Sequence, residues 1–79
     1  MQWDAELDAL GLLCPLPVLK ARKRLLGMDV GQTLKILADD PAAVVDIPHF
    51  CAEAGHELAR LDDGEGHQIY FIVKGAPAD

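Results

Sequence analysis

Cysteine, histidine, aromatic side chains and positive charge are all scarce in this sequence, and each scarcity removes a class of function. Two cysteines, Cys14 and Cys51, could form one disulfide, whereas a small secreted domain held by staples usually carries more. Nothing in the sequence places the two thiols within bonding distance, so they are read as free thiols with separate roles. His49, His56 and His67 are dispersed, with no two forming a helical ligand pair, which leaves a zinc site unsupported. Trp3, Tyr70 and Phe71 make no clear stacking array. Seven Lys and Arg stand against thirteen Asp and Glu, a formal net charge of -6, which opposes general binding of nucleic acid through phosphate neutralisation. No apolar run reaches the roughly 20 residues of a membrane span. The first residues, Met1 to Glu6, have neither a basic nor a long apolar region, so a cytoplasmic location is the expectation. A glycine-rich phosphate loop, a serine elbow and a suitably spaced carboxylate pair are also missing.

What is present is a pattern for one small domain of 79 residues, with a core over about residues 4–74 and a frayed tail over 75–79. Ala5, Leu7 and Ala9 alternate with Asp4, Glu6 and Asp8, predicting a first strand that Gly11 ends. A helix follows from Val18 to about Met28, with Pro15 and Pro17 tolerated at its start and Gly27 and Gly31 bracketing its end. Val18, Leu19, Ala21, Leu25, Leu26 and Met28 fall on one broad side of it, and Lys20, Lys23 and Arg24 on the other.

Thr33 to Ala38 is rich in strand formers and predicts the second strand. Asp40 as N-cap and Pro41 at the first position open a second helix, whose buried stripe is Val44, Ile47, Cys51 and Ala54 and which Gly55 terminates. Pro48 within it predicts a bend, or two short pieces with Asp46 capping the second. His56 to Leu61 predicts a third strand, with Leu58, and His56 with it, sharing a side with the stem of Arg60. Asp62 to His67 forms a turn. In the fourth strand, Gln68 to Lys74, Ile69, Phe71 and Val73 oppose Tyr70 and Ile72. The order is β-α-β-α-β-β, with the first two strands parallel and the closing hairpin antiparallel. The expected fold class is therefore α/β, a two-layer sandwich with two helices packed on one face of a mixed four-stranded sheet.

Cys14 lies just before the first helix. Amides and aligned peptide dipoles there favour an anion, so a lowered thiol pKa is expected, and nearby Lys or Arg would lower it further. Cys51 sits mid-stripe, where packing asks for a small apolar side chain. Arg22 projects onto the apolar side of its helix, so its guanidinium either snorkels outward or pairs with a carboxylate such as Asp46. It lies eight residues beyond Cys14, too far along a helix to be assumed a thiolate partner. Lys20, Arg22, Lys23 and Arg24 place four positive charges in five residues, which reads either as a docking patch for an acidic partner or as the wet face of a helix.

The run Leu7-Asp8-Ala9-Leu10-Gly11-Leu12-Leu13-Cys14-Pro15-Leu16-Pro17-Val18, then Ala38-Asp39-Asp40-Pro41-Ala42, Asp46-Ile47-Pro48, Phe50-Cys51 and His56-Glu57-Leu58, resembles the TusA/SirA-like sulfur carrier family. The likeness extends from about Asp4 to Lys74. It implies the same two-layer sandwich, and a role for Cys14 as the residue that accepts sulfane sulfur as a persulfide and passes it on. The implied donor is a cysteine desulfurase or a rhodanese-like protein, and the implied acceptor is the next protein of a relay. The family's other polar positions map to Arg22, Asp40 and Asp46, and its commonly structural cysteine region to Cys51. With Pro15, Pro17, Lys20, Lys23 and Arg24, these are carried as supports of the cysteine loop or of a partner surface. No cofactor beyond the transient persulfide, no direct nucleic acid and no membrane is implied, and a free monomer is expected.

Leu13, Leu16 and Val45 depart from relatives that carry charged residues at those places. Relatives serve transfer-RNA 2-thiolation, molybdenum cofactor synthesis and sulfur oxidation. Two rivals without sulfur chemistry stand beside this reading: an interaction or regulatory module docking through the basic helix face, and an RNA-binding domain, which the acidic charge and lack of a stacking platform disfavour.

Overall fold

Six elements account for the architecture of the computed structural model, which describes residues 1–76. They are β1 (Ala5–Ala9), α1 (Leu16–Leu26), β2 (Thr33–Ala38), α2 (Ala43–Ala54), β3 (Glu57–Asp63) and β4 (Gln68–Val73). The sheet order is β1-β2-β4-β3, with β1 parallel to β2 and the other two pairings antiparallel. This is the expected mixed sheet with both helices on one face.

Alternation along the strands builds the sandwich. Leu34, Ile36 and Ala38 of β2 face the helices beside Ala9 of β1 and Tyr70 and Ile72 of β4, all fully buried. Register aligns them in rows: Ala5, Leu34, Ile72 and Leu58 in one, Leu7, Ile36, Tyr70 and Leu61 in the next. The opposite face has a smaller apolar patch, in which Trp3 covers Phe71 with ring centroids 5.9 Å apart and the Lys35 ammonium lies 4.1 Å from the Trp3 centroid. An irregularity between Leu58 and Arg60 breaks the period of two in β3. It puts Arg60 in register with Phe71, on the face away from the helices, where its Nε donates to Asp62 at 2.8 Å. The shared side expected for Arg60 and Leu58 is thereby corrected.

The helices bury narrower stripes than the sequence pattern predicts. In α1, Pro17, Ala21 and Leu25 are buried at four-residue spacing, with Val18 and Met28 partly so. Leu19 and Leu26 point outward, Leu26 being 76% exposed, because a single sheet face contacts little more than one row of a helix. The helix also begins two residues before Val18, since Leu16 and Pro17 occupy first-turn positions whose amides need no intrahelical acceptor.

In α2 the stripe is Ala43, Ile47, Phe50, Cys51 and Ala54; Val44 is turned out, 42% exposed. Pro48 lies inside one continuous helix and does not divide it, so Asp46 caps no second piece and belongs to the first turn. Asp40 sits ahead of the helix proper, whose cap position is Ala42. Its Oδ1 accepts the Ala42 amide at 3.2 Å and its carbonyl accepts the Ala43 amide at 3.0 Å. It therefore organises the approach turn without occupying the cap itself.

The chain after β4 is fixed by side chain and backbone together. Lys74 Nζ donates to the carbonyls of Leu25, at 2.5 Å, and Met28, at 3.0 Å, closing the C-terminal end of α1. Gly75 donates its amide to His56 Nδ1 at 3.0 Å and lies so close to Gly55 that a Cβ there would collide with the Gly55 carbonyl. Gly55 ends α2 in the left-handed region, at φ 80°. Of the tail expected over 75–79, residues 77–79 lie outside the described residues.

Candidate functional site

Parallel pairing of β1 with β2 decides where the site forms. Ala9 and Ala38 are register partners at the ends of parallel strands, so the loops leaving both emerge at the same end of the sheet. There Asp39 and Asp40, on the β2 loop, hold the β1 loop by its backbone. Asp39 Oδ1 accepts the Gly11 amide at 3.0 Å, and Asp40 Oδ2 accepts the Cys14 amide at 2.5 Å. Gly11 adopts φ 78°, a conformation that side-chain-bearing residues rarely take. Asp40 is buried, and its two side-chain oxygens serve two different amides.

The Cys14 side chain is exposed, and its Sγ donates to Asp46 Oδ2 at 3.0 Å. Asp46 reaches it from the first turn of α2. The expected lowering of the thiol pKa is reversed. The hydrogen bond to Asp46 pushes it up most, followed by desolvation and by the negative charges of Asp46 and Asp40. Local sequence explains why the helix terminus does not compensate. Pro15 and Pro17 have no amide hydrogen, and the Leu16 amide donates back to the Leu13 carbonyl at 2.9 Å. Few free amides remain to face a thiolate. Pro15 holds the cap position of α1, after a cis Cys14–Pro15 peptide bond, and Pro17 is buried against the sheet.

The basic residues lie elsewhere. Lys20, Lys23 and Arg24 border a hollow of about 400 Å³ with Leu7, Gly27 and Met28. Arg22 does not pair with Asp46. Its guanidinium lies 5.5 Å from the Phe50 ring centroid, over a groove of about 210 Å³ that Pro15, Asp46 and His49 also line. His49 pairs with Glu53 at 3.1 Å, one turn along α2. Leu13 and Leu16, which flank the cysteine in sequence, and Val45, next to Asp46, are exposed apolar residues, Leu13 by 68% and Val45 by 71%.

Cys51 provides the contrast. It is buried in the core, where burial pushes its thiol up to about 11. Both cysteines are free. The structure thus brings Cys14, Pro15, Asp40 and Asp46 together and leaves Lys20, Lys23 and Arg24 apart from them. Asp39 and Lys74, which hold the cysteine loop and the end of α1, carry no signal in the sequence, because their partners are distant carbonyls and amides. Among the described residues no cluster of three or more His, Cys, Asp or Glu could hold a metal ion, and no helix is long and apolar enough to cross a membrane.

Comparison with known proteins gives the family. The family model described as sulfurtransferase TusA matches residues 5–74. The sulfur carrier protein TusA of Allochromatium vinosum is 44% identical over 72 residues, covering 91% of this chain and 93% of that protein. The protein of the same name from Pseudomonas syringae pv. syringae is 45% identical over 71 residues, covering 90% and 84%. The crystal structure of a SirA-like protein from Desulfitobacterium hafniense superposes with a TM-score of 0.80 at 27% identity, covering 92% of this chain and all of that one.

Proposed function

The chain belongs to the TusA sulfurtransferase family and is a sulfur carrier of that type, and on this premise we propose that Cys14 is the residue that bears the sulfur. One observation carries the assignment. The exposed thiol of Cys14 sits on a loop pinned at its own amide, while the other cysteine is sealed in the core. A carrier must present its sulfur to two partners in turn, and only the first of these thiols is placed to meet either.

In the loading step Cys14 sulfur attacks the outer sulfur of a donor persulfide. A new S–S bond forms as the bond between the outer sulfur and the donor cysteine breaks, and the electron pair stays with the donor sulfur, which takes up the proton Cys14 loses. Unloading repeats the exchange, with an acceptor cysteine attacking the outer sulfur of the Cys14 persulfide. No oxidant or reductant is consumed, and the protein acts as a stoichiometric participant more than as a turnover enzyme. The donor is a cysteine desulfurase or a rhodanese-like protein, and the acceptor is a relay protein. The onward route is one of transfer-RNA thiolation, molybdenum cofactor synthesis or sulfur oxidation, in the cytoplasm, with the free carrier monomeric. Asp39, Asp40 and the two prolines set the loop.

Transfer of isotopically labelled sulfur from cysteine, through a desulfurase, tests the assignment. Cys14→Ser should remove labelling altogether; a fully folded C14S protein that still accepts label would end the proposal. The interaction-module alternative draws on the separate basic hollow of Lys20, Lys23 and Arg24. It predicts the reverse pattern: charge reversal at those three residues abolishes function and C14S leaves it intact.

A further inference from the structure

We infer that Asp46 is a lock on the Cys14 thiol, and that its key is a basic side chain which the docking partner brings beside its own cysteine. The inference rests on Cys14 being the carrier residue and adds to it how the thiol is controlled. Three observations converge. The thiol donates to Asp46 Oδ2 at 3.0 Å, a bond that exists only while the sulfur keeps its proton. Asp40 adds a second carboxylate against the same residue, at its amide. Among the described residues no basic group forms an ion pair with Asp46, although two line the groove it borders. Arg22 stacks over Phe50, and His49 is paired with Glu53. Lys20, Lys23 and Arg24 surround a different hollow.

The consequence is a carrier that is quiet when alone. A thiol reacts through its thiolate, and a carboxylate at hydrogen-bonding distance disfavours a second negative charge beside it. The direction of the Cys14 shift, upward and caused first by Asp46, agrees. A Lys or Arg placed against Asp46 would take over the carboxylate, break the S–H···O bond and let the thiol give its proton to solvent, forming the thiolate as a partner sulfur comes into reach. The exposed apolar side chains of Leu13 and Leu16, flanking the cysteine, and of Val45, next to Asp46, give such a partner something to bury, and the carboxylate, bonded to the thiol but in no ion pair among the described residues, gives it a charge to match. The partner is therefore a protein whose reactive cysteine is flanked by apolar residues and at least one cation.

The test compares wild type with Asp46→Asn, which keeps the shape and removes the charge, and with Asp46→Ser as a second variant should the first fail to fold. The first readout is the pH profile of Cys14 alkylation by iodoacetamide, localised by peptide mass. The variant midpoint should fall. For each unit it falls, alkylation near neutral pH should rise about three- to fourfold, since a tenfold gain in thiolate is partly offset by its lower nucleophilicity. The second readout is sulfur loading from two donors. D46N should load faster than wild type from glutathione persulfide and slower from a cysteine desulfurase, whose cation has lost its partner. An unmoved or raised midpoint overturns the lock, and equal acceleration from both donors overturns the key. Retained loading in C14S would sink the carrier assignment while leaving the alkylation result to stand by itself.

Discussion

The carboxylate of Asp40 accepts the backbone amide of Cys14 at 2.5 Å, joining residues 26 apart in sequence. The bond holds the Cys14 loop by its main chain and leaves the thiol exposed, in contact with Asp46. Asp40 simultaneously accepts the Ala42 amide, and one buried carboxylate thereby orders both the cysteine loop and the entrance to α2.

Removing that carboxylate should loosen both. Asp40→Ala is expected to lower unfolding free energy by about 1–3 kcal/mol, the range for stranding hydrogen-bond donors in a partly buried place. Urea unfolding followed by circular dichroism measures the loss. Sulfur transfer should slow more than the stability change explains, because Cys14 is no longer held at one position.

Lys74 links the last described segment to the end of α1 through two carbonyls. Lys74→Met keeps most of the apolar stem and removes both bonds and the charge, at an expected cost of about 1–2 kcal/mol. Cys14 is remote from this contact, so transfer should persist at temperatures where the variant remains folded. The same substitution should raise the pKa of His56, which the Lys74 charge helps to depress, and a proton NMR titration of the ring would show it.

His56 supplies an acid-sensitive element. Desolvation first, and the Lys74 charge second, lower its pKa from the ordinary 6.5, and its Nδ1 accepts the Gly75 amide only while that nitrogen is unprotonated. A depressed folded-state pKa contributes stability that is present above the unfolded value and lost as pH falls through the folded one. Unfolding free energy should therefore decline as pH is lowered beneath 6.5 toward the folded-state pKa. His56→Asn, which retains an acceptor but does not titrate, should show a smaller decline in parallel urea titrations.

Much of this architecture is legible in the sequence, for identifiable reasons. Thr33–Ala38 is bounded as its strand formers predict, and Gly55 terminates α2 where a left-handed residue is needed. The outward turn of Leu19, Leu26 and Val44 is not legible, because helical periodicity gives a direction but not how wide a strip the sheet can cover. The site divides similarly. A cysteine before a Pro-bracketed helix is visible in the sequence, but the sign of its pKa shift is not. That sign depends on Asp46, 32 residues away, and on a Leu16 amide already committed to Leu13. Arg22 carries the same lesson: Phe50, not a carboxylate, lies beneath its guanidinium.

The most direct test of the central claim is the mass of the loaded protein. After incubation with a cysteine desulfurase and cysteine, non-reducing peptide analysis should find one added sulfur, about 32 Da, on the peptide containing Cys14. The peptide containing Cys51 should be unmodified, as its burial and a thiol pushed up to about 11 require. Added sulfur on Cys51 alone, or none on either cysteine with several competent donors, would contradict the account.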